Sequence, residues 1–189
     1  MLILITGASG SGTSTLGAAL AKELGIAHLD ADDYYWLPTE PPFTTKRDRA
    51  ERLSSVLRDV RAKRSAVLAG SIMDWGAELE NAFDLIVFLY VDAAIRVERL
   101  RARELERFGM SDQEFLEWAA QYDAGAMSGR SLARHQAWLA ARTCPVLELR
   151  GDLSVGERVN AVVTYMADNA VGRQRGPEAE GDGLSVVGE

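Results

Sequence analysis

The stretch Leu2-Ile3-Leu4-Ile5-Thr6-Gly7-Ala8-Ser9-Gly10-Ser11-Gly12-Thr13-Ser14-Thr15-Leu16 decides how this chain is read. Leu2–Thr6 is a short apolar run of the kind found in strands buried on both faces. After the glycines, Leu16, Ala19, Leu20 and Leu24 recur at helical spacing. A strand, a glycine-rich turn and a helix start, in that order, form the context a phosphate loop requires. Glycine tolerates positive φ and lets the main chain approach an anion closely. Successive N–H groups then converge as a nest, and the helix N-terminus adds partial positive charge. Gly7, Ser9, Gly10, Ser11, Gly12, Thr13, Ser14 and Thr15 are therefore the candidate nucleotide-binding residues, with Ser14 where a hydroxyl would ligate Mg²⁺. The plain alternative is a strand-to-helix turn without a ligand.

One residue departs from the pattern G-x-x-x-x-G-K-[ST]. Thr13 stands where that pattern has lysine. The lysine normally reaches the β- and γ-phosphates, so its absence weakens the case for catalysis more than the case for binding. The chain's lysines are Lys22, Lys46 and Lys63. Lys22 lies too far along the first helix to curl back, whereas Lys46, after a proline-rich stretch, or any of several arginines is a candidate replacement.

Outward from the loop, apolar runs alternate with helical patterns, which predicts an α/β fold with a parallel sheet of about five strands and helices on both faces. Strands are expected at 2–6, 27–30, 66–69, 85–91 and 146–149, and helices near 14–24, 46–64, 92–108, 112–124, 128–142 and 154–168. Pro38, Pro41 and Pro42 mark 34–45 as an irregular insertion. Residues 109–144 lack a strand signal and suggest a helical cap over one edge of the sheet. One domain over 1–171 is expected, with 172–189, rich in Gly and Glu, as a disordered tail.

Bulk properties bound the function. The 189 residues suffice for one domain with a substantial core. A net charge of −7 argues against general nucleic-acid affinity, so an anion site must be built locally. Cys144 is the single cysteine and the two histidines, His28 and His135, are far apart, which disfavours disulfides and zinc clusters. The opening run fits neither a signal peptide nor a membrane span, and a cytoplasmic protein is the simplest expectation. Oligomeric state is not legible.

With the loop placed, the chain resembles the P-loop kinases of small molecules, the nucleoside monophosphate, shikimate and gluconate kinase group. It looks most like the adenylate-kinase-related proteins of uncharacterised substrate. The likeness covers roughly 1–168 in element order. Archaeal-type cytidylate kinases resemble it in carrying threonine after the last loop glycine. The resemblance implies ATP and Mg²⁺ as cofactors, a small-molecule acceptor held by the insertion and helix at 34–65, and a lid at 109–144.

His28-Leu29-Asp30-Ala31-Asp32-Asp33 ends the second strand, at the sheet edge where parallel folds bind ligands. Acids here hold metal or acceptor in the shikimate and gluconate kinase group. Asp30 and Asp32 are the metal candidates, Asp32 also a catalytic one, and Asp33, Lys46 and Arg47 the acceptor-side candidates. The competing reading is a helix N-cap with solvated acids. No acid follows the third strand, where Ala69-Gly70-Ser71 stands; Asp74 and Asp92 are weaker metal candidates.

Arg96, Arg99, Arg103 and Arg107 fall on one face of the helix at 92–108. They form either a solvated, salt-bridged face or a set reaching phosphate oxygens or the adenine ring. Arg130, Arg134 and His135 form a second basic group, which a closing lid would bring to the transferring phosphoryl group. Arg99, Arg103, Arg130 and Arg134 are the catalytic candidates. A phosphate acceptor needs cations and no base, whereas a hydroxyl acceptor needs a carboxylate such as Asp32 or Asp33. The expectation leans to a nucleoside monophosphate. The rival is a nucleotide-binding protein without phosphotransfer.

Overall fold

A computed structural model describes residues 1–169 and 171. Five parallel strands run in the order β2-β3-β1-β4-β5: β1 (Leu2–Gly7), β2 (Ala27–Asp30), β3 (Ala66–Ala69), β4 (Leu85–Tyr90) and β5 (Val146–Arg150). Alternation along the central strand creates two cores. Leu2 and Leu4 face Val56, Leu57, Leu79 and Phe83, while Ile3 and Ile5 face Leu16, Leu20 and Val162. The first core is closed by α2 (Ala31–Tyr35), α3 (Arg49–Ala62) and α4 (Ala77–Glu80), the second by α1 (Thr13–Leu24) and α8 (Val155–Asp168). The expected α/β sheet with helices on both faces is present.

The departures are local. The helix expected from 46 begins at Arg49, because the Asp48 carboxylate accepts the N–H groups of Ala50 and Glu51 and caps it there. Asp30 ends β2 and is the N-cap of α2, whose first turn carries Asp32 and Asp33, the arrangement of the competing reading. The proline-rich stretch is a loop pinched by a single bridge between Trp36 and Lys46. α4 was not foreseen; with one turn it has too few residues to show a period.

Beyond α5 (Ala93–Phe108), the expected lid segment contains two helices of different character, α6 (Gln113–Ala120) and α7 (Leu132–Ala140). α6 packs on α5 through a small cluster of Leu100, Leu116 and Ala119. α7 is held in the main body: Trp138 and Leu139 pack on the first core, and His135 is fully buried beneath Phe88. Among the described residues no helix is long and apolar enough to cross a membrane. The tail expected at 172–189 lies outside the described residues.

Candidate active site

The glycine turn between β1 and α1 has the geometry its sequence implies. Gly10 and Gly12 take φ of 82° and 92°, the left-handed region, and Ser11 N–H donates to Ala8 O at 3.1 Å. A Cβ on Gly10 would lie 2.6 Å from the carbonyl oxygen of Arg96, so the turn has no room for a side chain. No side chain caps α1, and its first-turn amides open at the mouth of the turn beside the exposed Ser14 and Thr15. Ser11 Oγ is buried without a hydrogen-bond partner. An uncapped helix start behind a turn with small side chains and left-handed glycines fits a polyphosphate. Gly7, Ser9, Gly10, Ser11, Gly12, Thr13, Ser14 and Thr15 all lie in this turn or the first turn of α1.

Two buried arginines grip the turn from behind. Arg96, on α5, donates to Val91 O at 2.9 Å, Ala119 O at 3.1 Å and Ser9 O at 3.3 Å. Arg158, on α8, donates to Ser11 O at 2.7 Å and Gly151 O at 3.2 Å. The α5 arginines therefore do not share one solvated face. Arg96 turns inward, Arg99 pairs with Asp152 after β5, and Arg103 points to the acidic cluster.

That cluster splits by role. Asp30 accepts Asp32 N–H at 3.0 Å, which is the N-cap reading and occupies one of its oxygens. Asp32 is exposed in the first turn of α2. Its carboxyl is pushed above the ordinary range by desolvation and by Asp30, against the opposing charges of Arg130 and Arg103. Desolvation likewise pulls the Arg103 and Arg130 guanidiniums down, and Asp32 offsets part of this for both. Asp33 is exposed on α2. Mg²⁺ needs only one or two carboxylates beside phosphate oxygens, and Asp32, the free oxygen of Asp30 and the Ser14 hydroxyl are of the right chemical type. Among the described residues no three acids, histidines or cysteines are grouped as a ready-made metal cage. Asp92 caps α5, and Asp74 pairs with Arg134, so both are committed elsewhere.

From the lid side, Arg130 crosses to the phosphate loop. It donates to Ser9 Oγ at 3.2 Å while its guanidinium lies 5.3 Å from the Trp118 ring centre. Arg134 instead ties α7 to the loop after β3, donating to Gly129 O at 2.7 Å and Asp74 at 3.3 Å. His135 is not a member of a basic group. Its Nε2 meets Thr6 Oγ1 at 3.0 Å and its Nδ1 meets Tyr122 OH at 2.9 Å. Burial and the neighbouring Arg130 hold its pKa down to about 3, so the ring is neutral at pH 7 and is a core strut under β1.

On the opposite side, Lys46 lies 5.9 Å from the Tyr35 ring centre. Arg47 is tied down, donating to Tyr34 O at 3.1 Å and to Glu51 at 2.6 Å. A residue that sequence reasoning passed over is Arg52. It is buried on α3, with its guanidinium 4.9 Å from the Tyr35 ring and 4.3 Å from the Trp75 ring, and its Nε has no partner. Arg52 and Lys46 lie against the Tyr35 ring, and the charges of Asp32 and Tyr35 act on Arg130.

Comparison with known proteins agrees with this geometry. The family model described as AAA domain matches residues 3–117. The uncharacterized protein YqaC of Bacillus subtilis (strain 168) is 45% identical over 177 residues, 88% of this chain and 98% of that protein. A probable gluconokinase of Xenopus tropicalis is 30% identical over 135 residues, 58% of this chain and 70% of that protein. Among solved structures, the shikimate kinase of Bacteroides thetaiotaomicron superposes with a TM-score of 0.60 at 19% identity, covering 88% of this chain and 98% of that one. That superposition bears on the fold, whereas the sequence matches bear on descent. The chain belongs to the matched P-loop family, within its group of small-molecule kinases.

Proposed function

We propose that this protein transfers the γ-phosphoryl group of ATP to a small anionic acceptor, with a nucleoside monophosphate as the preferred class. The observation that carries the reading is the convergence of two sets of groups. The open amides of the phosphate loop lie on one side, and Arg52 and Lys46 border Tyr35 on the other, with Asp32 and Arg130 between them. Two cations beside one aromatic ring suit a dianionic phosphate better than a single carboxylate, and an aromatic wall suits a base or sugar.

Residue roles follow from placement. The loop from Gly7 to Thr15 would bind the triphosphate, and Ser14, Asp32 and the free oxygen of Asp30 would hold Mg²⁺, which neutralises phosphate charge when bound. Arg130 would orient the transferring group, with Arg103 balancing Asp32. Arg99, on α5 and paired with Asp152 after β5, would border the base. Arg134 contributes by fixing α7. Transfer in such a site is mostly positioning and electrostatics. The working domain is 1–171, acting in the cytoplasm.

A second reading has its own support. Desolvation raises Asp32, and a raised carboxylate beside the phosphate site is a better base for a hydroxyl acceptor. ADP release should therefore be measured with ATP and Mg²⁺ across nucleoside monophosphates and small hydroxy acids. Release dependent on a monophosphate supports the first reading, and release dependent on a hydroxy acid the second. Tight ATP binding with no acceptor-dependent release overturns both and leaves a binding protein.

A further inference from the structure

Thr13 leaves the phosphate loop without the ammonium group its pattern specifies, in a chain of net charge −7. Something must offset the charge of a bound triphosphate. The geometry points to Arg158, which we infer supplies that charge from behind the loop.

Arg158 lies in the first turn of α8, fixed in place by the capping box of Ser154 and Glu157. It is only 4% exposed. Its Nη1 donates to Ser11 O at 2.7 Å, its Nη2 donates to Gly151 O, and its Nε is buried without a partner. Among the described residues it makes no ion pair. An arginine remains protonated even here, and the one carboxylate that acts on it, Asp152, lies beyond contact distance and is already paired with Arg99, so positive charge is held against the loop. Keeping such a charge inside costs stability unless an anion arrives to balance it.

The route from guanidinium to phosphate is the peptide unit between Ser11 and Gly12. A cation on the Ser11 carbonyl oxygen polarises that unit and makes the Gly12 N–H a stronger donor toward the anion. Gly12 permits this contact, since a Cβ there would stand 3.1 Å from Nη1. Arg96 makes the same kind of contact with Ser9 O, but Asp123 faces it at 3.8 Å and cancels much of its charge. Arg158 has no such carboxylate at contact distance, and that separates it from an ordinary strut. It is a positioning residue, acting through the main chain rather than touching the nucleotide.

The inference rests on nucleotide binding at this loop, and the test separates the two. ATP and adenosine binding are measured by calorimetry with Mg²⁺ for the native protein, Arg158→Gln, Arg158→Lys and Arg158→Gln with Thr13→Lys. No ATP binding by the native protein removes the functional reading itself. Where the native protein binds, Arg158→Gln should weaken ATP about tenfold, the scale of one partly screened charge pair, with adenosine changing less than about twofold. Arg158→Lys should lose less than Gln, and Thr13→Lys should restore most of the loss. Equal weakening of ATP and adenosine, or no rescue by Thr13→Lys, shows a merely structural arginine and overturns the inference. If Arg158→Gln does not fold, Thr13→Lys in the native background decides. A gain of tenfold or more there would mean the charge was lacking, and a gain below about threefold means it was already supplied.

Discussion

Replacing Gly10 by alanine should abolish the response to ATP while leaving a folded protein. Gly10 has φ of 82°, and left-handed backbone costs a non-glycine residue about 1–2 kcal/mol. The added Cβ would also stand 2.6 Å from Arg96 O and 3.1 Å from Leu100 Cγ. A main-chain oxygen in the first turn of α5 cannot swing aside, so overpacking adds about 1–3 kcal/mol. The combined cost, about 2–5 kcal/mol, is below the 5–15 kcal/mol typical of a whole domain. The cheapest relief is for the loop to lift off α5, which scatters the amides that receive the phosphates. Gly25 supplies the control: its φ is 63°, yet nothing lies within 4 Å of a built Cβ, and it is outside the site. In thermal unfolding, ATP at one hundred times its dissociation constant adds about 2.7 kcal/mol to the native protein, or roughly 5–10 °C. Gly25→Ala should melt a few degrees lower and keep that increment in full. Gly10→Ala should melt lower still and lose it. An unchanged increment in Gly10→Ala would refute the claim that the tight turn against α5 shapes the phosphate site.

His135 gives a pH signature. Its folded pKa, about 3, lies below the ordinary 6.5, so the unfolded chain takes up the proton first as pH falls. The stability this neutral ring contributes is complete above pH 6.5 and is lost on acidification toward pH 3, at about 1.4 kcal/mol per pH unit. Urea unfolding at pH 7 and pH 5 should show the native protein losing about 2 kcal/mol more than His135→Asn; equal losses contradict the assignment. Arg130→Gln should reduce acceptor-dependent ADP formation at least about a hundredfold, with ATP affinity within a few-fold. Arg134→Gln, already committed to Asp74 and Gly129, should cost about tenfold or less in the same assay. Similar losses in the two variants would erase the distinction drawn between them.

The middle of the sheet was legible because β1, β3 and β4 are buried on both faces, whereas the edge strands β2 and β5 are partly exposed. Runs such as Leu2–Thr6 and Leu85–Val91 have few ways to be placed except between two helical layers, while the strand order β2-β3-β1-β4-β5 comes from the structure. The loop was legible for a related reason, since backbone amides need only glycines and a helix start. Side-chain destinations were harder to read. Arg130 and Arg134 are four apart in sequence, and one meets Ser9 while the other meets Asp74. His135 looks basic in sequence and is a neutral strut in the fold, because burial under Phe88 is a tertiary fact.

One signal was present and unused. Arg52, Arg96 and Arg158 each precede a buried apolar residue by one helical turn, namely Val56, Leu100 and Val162. Each arginine therefore sits on the inward stripe of its helix, where a charge is costly unless something polar awaits it. For Arg96 and Arg158 the waiting groups are carbonyls of the phosphate loop, and for Arg52 they are the faces of Tyr35 and Trp75. The arginines of α5 drew notice for lining up with one another, which is the spacing of a solvated face. The informative alignment is with the apolar stripe. A cation on the buried face of an amphipathic helix implies an anion, a carbonyl or an aromatic wall inside the fold. In this protein two such arginines reach carbonyls of the phosphate loop and the third lies between Tyr35 and Trp75.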